Sequence, residues 1–228
     1  GVANLAGPDP VDLRAPAQAD PDELRDRLER GEWVVDLRTR KAYVGSHLAG
    51  TISLGLDGPM ATWLGWMIEW GAPLTLLGET PDQVAQARRE LVRIGIDRVA
   101  AAAAGEPEEL AASTDQLASL PTATFGGLAD ALNGSVPDRL PGPDVVLDVR
   151  LKNEWSASHV RGAVHIPLPE LAGRLHEVPS GTVWVHCASG YRAAAAASLL
   201  EAAGRSVVLV DDKFSAAGGA GMPVTDAG

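Results

Sequence analysis

The feature that most limits how this chain can fold is an internal repeat. Val34-Val-Asp-Leu-Arg-Thr-Arg-Lys-Ala-Tyr-Val-Gly-Ser-His-Leu-Ala-Gly50 recurs as Val146-Leu-Asp-Val-Arg-Leu-Lys-Asn-Glu-Trp-Ser-Ala-Ser-His-Val-Arg-Gly162. Asp36, Arg38, Tyr43, Ser46, His47 and Gly50 stand 112 positions before Asp148, Arg150, Trp155, Ser158, His159 and Gly162. Further on, Leu74 to Gly95 aligns with Val183 to Gly204 at an offset of 109. So many matches in fixed register make the chain a duplication, and one fold must serve both copies. The 228 residues, with 46% hydrophobic and 21% charged side chains, suffice for two packed domains.

Each copy reads as an alternating β/α unit. Val34–Leu37 and Val145–Val149 are short, apolar and β-branched, as are Leu74–Leu77 and Val183–His186. Helical stretches follow at Pro81–Ile94 and Arg192–Ala203, stopped by Gly95 and Gly204. Arg98–Ala102 and Val207–Val210 complete the pattern as strands. Such alternation predicts an α/β fold: an open, mostly parallel sheet covered on both faces. Ligands of such sheets bind beyond the carboxyl ends of the strands.

One such end carries chemistry. In Val183-Trp-Val-His-Cys187-Ala-Ser-Gly-Tyr-Arg192, a strand ends at His186 and a helix begins near Arg192. A thiol placed there meets the unpaired N–H groups and positive dipole end of the helix. With Arg192 nearby, the thiol pKa is expected to fall and thiolate to be available at neutral pH. Gly190 lets the loop curl, so that successive N–H groups point inward as an anion nest. A buried structural cysteine is the competing reading.

Charge and composition exclude several classes. A net charge of −11 repels phosphate backbones and anionic membranes, so no nucleic-acid or membrane partner is expected. No apolar run is long enough to span a bilayer, and Gly1 to Pro10 lacks the character of a secretory signal. A single cysteine forbids an internal disulfide, and a cytoplasmic location is expected. His165 and His176 have no partner at metal-ligand spacing, so no metal site and no cofactor are expected.

The Cys187-x-x-Gly190-x-Arg192 loop resembles the active-site loop of the rhodanese family, and Asp148 to Pro167 resembles that family's upstream motif. The ending Gly218-Gly-Ala-Gly-Met-Pro-Val224 is similar to its usual carboxyl end. The resemblance implies two rhodanese-like domains, each a mostly parallel five-stranded sheet with helices on both faces. Domain limits follow: a linker at 1–10 as the tail of an upstream domain, an inactive domain at 11–110, a linker at 111–123 and a catalytic domain at 124–228. It implies Cys187 and Arg192 as catalytic residues, with Ala188, Ser189, Gly190 and Tyr191 binding substrate. The related phosphatases and arsenate reductases use a loop one residue longer, so six residues suit a sulfur atom. The implied activity moves sulfane sulfur from thiosulfate or a low-molecular-weight persulfide to cyanide or a thiol. A non-enzymatic sulfur-relay or docking module is the alternative. In two-domain thiosulfate sulfurtransferases a second arginine stands where this chain has Glu154, which weakens the case for thiosulfate. The whole arrangement also resembles the carboxyl-terminal region of fusions with a metallo-β-lactamase-fold persulfide dioxygenase, which implies such a fused or docked partner and a role in persulfide detoxification.

At the same turn the first copy has Gly78 for Cys187 and Gln83 for Arg192, with Glu79 and Asp82 adding negative charge. It is expected to be inactive. Asp148, Arg150 and His159, like Asp36, Arg38 and His47, occur regardless of the nucleophile and read as structural. His186 should point away from Cys187 by strand alternation. Finally, Trp63, Trp66, Met67 and Trp70 fall at i, i+3, i+4 and i+7, predicting one indole-rich helical face. That face either fills the core or the join between the halves, or docks a neighbouring domain.

Overall fold

The computed structural model describes residues 15–136 and 139–226, so the expected 1–10 linker lies outside the described residues. The first half contains β1 (Ala17–Gln18), α1 (Pro21–Glu29), β2 (Trp33–Asp36), α2 (Arg40–Gly45), β3 (His47–Leu48), β4 (Ile52–Ser53), α3 (Met60–Met67), β5 (Leu74–Gly78), α4 (Pro81–Val92), β6 (Ala101–Ala104) and α5 (Pro107–Leu110). A short 3-10 turn and β7 (Leu117–Ala118) lead into the second half. There follow β8 (Thr122–Ala123), α6 (Phe125–Leu132), β9 (Val145–Asp148), α7 (Lys152–Ala157), β10 (Ser158–Val160) and β11 (Val164–His165). The remaining elements are α8 (Leu168–Arg174), β12 (Val183–His186), α9 (Tyr191–Ala202), β13 (Val207–Val210) and β14 (Val224–Asp226).

Both halves build the same five-stranded sheet, ordered β1-β6-β5-β2-β4 and β8-β13-β12-β9-β11. All neighbours within each are parallel. The register repeats as well: Trp33 faces Leu74 in one sheet and Val145 faces Val183 in the other, preserving both sequence offsets. This is the expected α/β architecture.

Period-two alternation assigns each strand's side chains to two layers. Trp184, Val208 and Val210 pack with Phe125 and Leu128 of α6 on one face of the second sheet. Val183, Val185, Val207 and Leu209 face the opposite cluster with α8 and α9. In the first half, Val34, Leu77, Ala101 and Ala103 meet Leu24 of α1. Val35, Leu74, Leu76 and Ala102 turn to the other side, where that cluster runs unbroken into the second half.

Helix α9 is the reason the halves fuse. Ala193 to Leu200 are all buried, a pattern of a helix enclosed on every side. Its five consecutive alanines let the helix lie close to its own strands β12 and β13 and also to β4 of the first half. Ser198 accepts the Ser53 N–H at 3.1 Å, and His47 meets Glu201 at 2.7 Å. Helices α3 and α8 pack together beside it.

Three expectations need correction. Residues 111–123 are not a free linker: β7 pairs antiparallel with β3, and β8 is an edge strand of the second sheet. The polar, alanine-rich composition there hid two strands of two residues each. The third strand of the first copy is Ala101–Ala104 rather than Arg98–Ala102. Alanine favours helix intrinsically, but pairing with β1 on one side and β5 on the other overrides that preference. The indole-rich helical face does not form. Helix α3 stops at Met67, Trp63 is buried, and Trp66 and Trp70 are exposed. Gly71 at φ +80° turns the chain immediately afterwards. No described helix is long and apolar enough to cross a membrane.

Candidate active site

The carboxyl ends of β9 and β12 lie side by side, with Asp148 and His186 as register partners. The chain leaves β9 towards one edge of the sheet and returns through β12 at the centre. That divergence opens a crevice of the kind in which ligands of parallel sheets bind.

Below the crevice lies a buried ion pair. Arg150 Nε donates to both Asp148 carboxylate oxygens at 3.0 Å, and its Nη2 donates to Oδ2 at 2.6 Å and to the Ser158 carbonyl at 2.8 Å. The first half repeats this: Arg38 Nη2 donates to Asp36 Oδ2 at 2.7 Å and to the Ser46 carbonyl at 2.8 Å. The pair ties the strand end to the turn eight residues on. His159 stacks on Trp155 at 3.9 Å and bonds its carbonyl at 3.0 Å, as His47 does with Tyr43 at 3.8 and 2.7 Å.

Cys187 opens the loop that follows β12. Gly190, at φ +97°, caps α9 and donates its N–H to Cys187 Sγ at 3.1 Å. Only a residue tolerant of that backbone can aim the amide so. Phe214 N–H donates to the Ala188 carbonyl at 3.0 Å and braces the loop from the other side. Cys187 itself is 1% exposed, packed with Val185 and the α9 alanines in the apolar core. An open cleft beside the loop is lined by Ala188 and Ser189 with Glu154, Ser158, Lys213 and Phe214.

Two side chains of the loop make contacts that the sequence did not indicate. Arg192, expected as a positive charge near the sulfur, is also held by Glu154 through two bonds of 2.6 and 2.8 Å. Burial opposes the Arg192 charge, yet the Glu154 hydrogen bonds together with the attraction of Cys187, Glu154 and Asp148 outweigh it and raise the guanidinium pKa. The same bonds hold the Glu154 carboxyl below the ordinary range. The far face of the guanidinium rests over Trp63 of the first half at 5.3 Å. Tyr191, expected among the substrate-binding residues, points away from the cleft: its hydroxyl donates to the Gly55 carbonyl of the first half at 2.8 Å.

His186 faces the opposite layer from Cys187, between Phe125 and Phe214. Neither of its ring nitrogens has a hydrogen-bond partner, and Asp148 Oδ2 is 3.7 Å away. Burial lowers its pKa to about 4, so the ring is neutral. Phe214, which sequence reasoning overlooked, also carries Arg150 on its ring face at 3.5 Å.

In the first half the corresponding turn is self-contained. Gln83 accepts from the Glu79 N–H at 2.9 Å and donates to the Glu79 carboxylate at 3.0 Å. Gly78 remains within β5, where an added Cβ would lie 3.1 Å from that of Gln83. Among the described residues no group of three or more His, Cys, Asp or Glu side chains is placed to hold a metal.

Residues 133–217 match the rhodanese-like domain family. An HTH-type transcriptional regulator of Mycobacterium tuberculosis is 35% identical over 91 residues, covering 39% of this chain and 40% of that protein. The chain thus spans less than half the length of that relative. Among solved structures, a rhodanese-like domain from Anabaena sp. is 24% identical with a TM-score of 0.41, covering 46% of this chain and 79% of its own. A thiosulfate sulfurtransferase from Pseudomonas aeruginosa is 17% identical with a TM-score of 0.38, covering 93% of this chain and 44% of its own. The family match encloses the crevice, the buried pair and the Cys187 loop together, and a rhodanese-like domain is therefore present in the second half of the chain.

Proposed function

We propose that this chain is a sulfurtransferase working through a Cys187 persulfide. One observation carries the reading: the lone thiol lies at a strand-to-helix turn with the Gly190 N–H already directed at its sulfur. An N–H held in that position stabilises a thiolate, and later the charge on a persulfide, at no cost in reorganisation. The Cys187 thiolate attacks the outer sulfur of a donor. A new S–S bond forms as the donor's own bond to that sulfur breaks, and sulfite or a thiolate departs with the electron pair. An acceptor thiolate or cyanide then attacks the outer sulfur of the persulfide and releases Cys187 as thiolate.

The Glu154–Arg192 pair bears on the donor. With its guanidinium engaged, Arg192 offers less to a dianion, so low-molecular-weight persulfides are preferred to thiosulfate. A fused or docked persulfide-producing partner of metallo-β-lactamase fold and a cytoplasmic setting belong to the same proposal.

Mass spectrometry after mixing with thiosulfate and with glutathione persulfide tests it. Wild type gains one sulfur atom on Cys187 and returns it to cyanide, and Cys187→Ala does neither. Absence of the adduct with every donor sinks the reading. The 1% exposure of Cys187 favours a second reading, a relay that accepts sulfur only from a bound protein. Turnover of the isolated chain with small donors excludes it.

A further inference from the structure

The half without a nucleophile reaches the active-site loop at several places, one of them beside Gly190. Arg40, in the first turn of α2, pairs through Nε with Asp211 Oδ1 at 2.8 Å across the join. Asp211 directly follows β13, and its main-chain N–H donates to the Ala123 carbonyl of β8 at 3.0 Å. Both charged groups press on Gly190. A Cβ built there would lie 2.1 Å from Asp211 Oδ1 and 3.0 Å from Arg40 Nε. The pair therefore occupies the space beside the residue whose N–H is given to Cys187. Neighbouring Tyr191 is fixed from the same side, with its hydroxyl on Gly55 and its ring against Gly58.

We propose that Arg40 of the inactive half is a positioning residue for the Cys187 site, acting through Asp211 to hold the Gly190 amide on the sulfur. The proposal rests on the sulfurtransferase reading of Cys187. Without Arg40, Asp211 carries an unpaired negative charge beside a left-handed glycine, and the loop relaxes away from it. The amide leaves the sulfur and the thiol becomes more accessible. Transfer slows while reaction with a small neutral alkylating agent quickens, because the first needs alignment and the second only access.

The test compares wild type with Arg40→Ala, Arg40→Lys and Glu201→Ala. Glu201→Ala breaks the His47 contact at the far end of α9 and reports on loosening of the join in general. Two rates are read on each: persulfide turnover, and Cys187 modification by iodoacetamide. In Arg40→Ala, kcat is expected to fall about ten- to a hundredfold, with KM within about twofold, as displacement of a catalytic group by a fraction of an ångström requires. Modification rises several-fold over wild type, Arg40→Lys restores most of both rates, and Glu201→Ala leaves both close to wild type. Equal effects of Arg40→Ala and Glu201→Ala overturn the proposal, as does unchanged modification in Arg40→Ala. A wild type that takes up no sulfur overturns the sulfurtransferase reading instead, while the modification rates still decide the role of Arg40.

Discussion

The turn after β5 and the turn after β12 occupy the same place in two matching sheets, yet only one carries a thiol. In the first, Gln83 folds back on Glu79 and satisfies the turn from within. In the second, Arg192 reaches outward to Glu154, and the loop's amide is left to serve a sulfur. Both copies nevertheless keep the Asp–Arg pair beneath the turn, with nearly the same distances. The pair belongs to the scaffold, and the difference between the copies to the loop laid over it.

The sharpest way to break this comparison is to move the chemistry. Cys187→Ala should abolish sulfur transfer, while Gly78→Cys combined with Gln83→Arg should create none, as the 3.1 Å contact at Gly78 and the charge of Glu79 oppose it. Transfer through residue 78, read by mass spectrometry, would show that the loop's contents alone suffice. Next, Arg150→Ala and Arg38→Ala should each cost about 3–5 kcal/mol in denaturant unfolding, since each leaves a buried carboxylate unpaired. Markedly unequal losses would mean that the two pairs are not equivalent.

A smaller effect separates the halves by pH. His186 stands where the first copy has Leu77, and its folded pKa is about 4 against 6.5 for the free side chain. Between those values the unfolded chain binds the proton and the folded one does not, so stability falls as pH drops from 6.5 to 4, by roughly 3 kcal/mol. His186→Leu, copying the first half, should flatten that stretch of the stability profile, and an unchanged slope would assign the acid sensitivity elsewhere. The smallest effects belong to Trp66→Ala and Trp70→Ala, each within about 0.5 kcal/mol in thermal unfolding, because both indoles are exposed.

What the sequence made legible was whatever both copies had to share. Asp36 with Asp148 and Arg38 with Arg150 announced the common turn, and β-branched runs announced β9, β12 and β13. Ala101–Ala104 was misplaced because its strand character comes entirely from the neighbours that enclose it. The Trp63–Trp70 spacing misled because periodicity carries no information on where a helix stops, and this one ends at Met67. The Glu154–Arg192 and Arg40–Asp211 pairs join residues 38 and 171 positions apart. Contacts of that kind leave no local pattern, and only the fold brings them together.

The apolar cluster that passes from α3 through α9 without a break has a consequence for the life history of this chain. Each copy has a cluster of its own, but this larger one runs through both, so heating should melt both in a single calorimetric transition. A duplicate without the cysteine is ordinarily free to decay. This one shares an interior with its sibling, which gives the copy a lasting reason to persist.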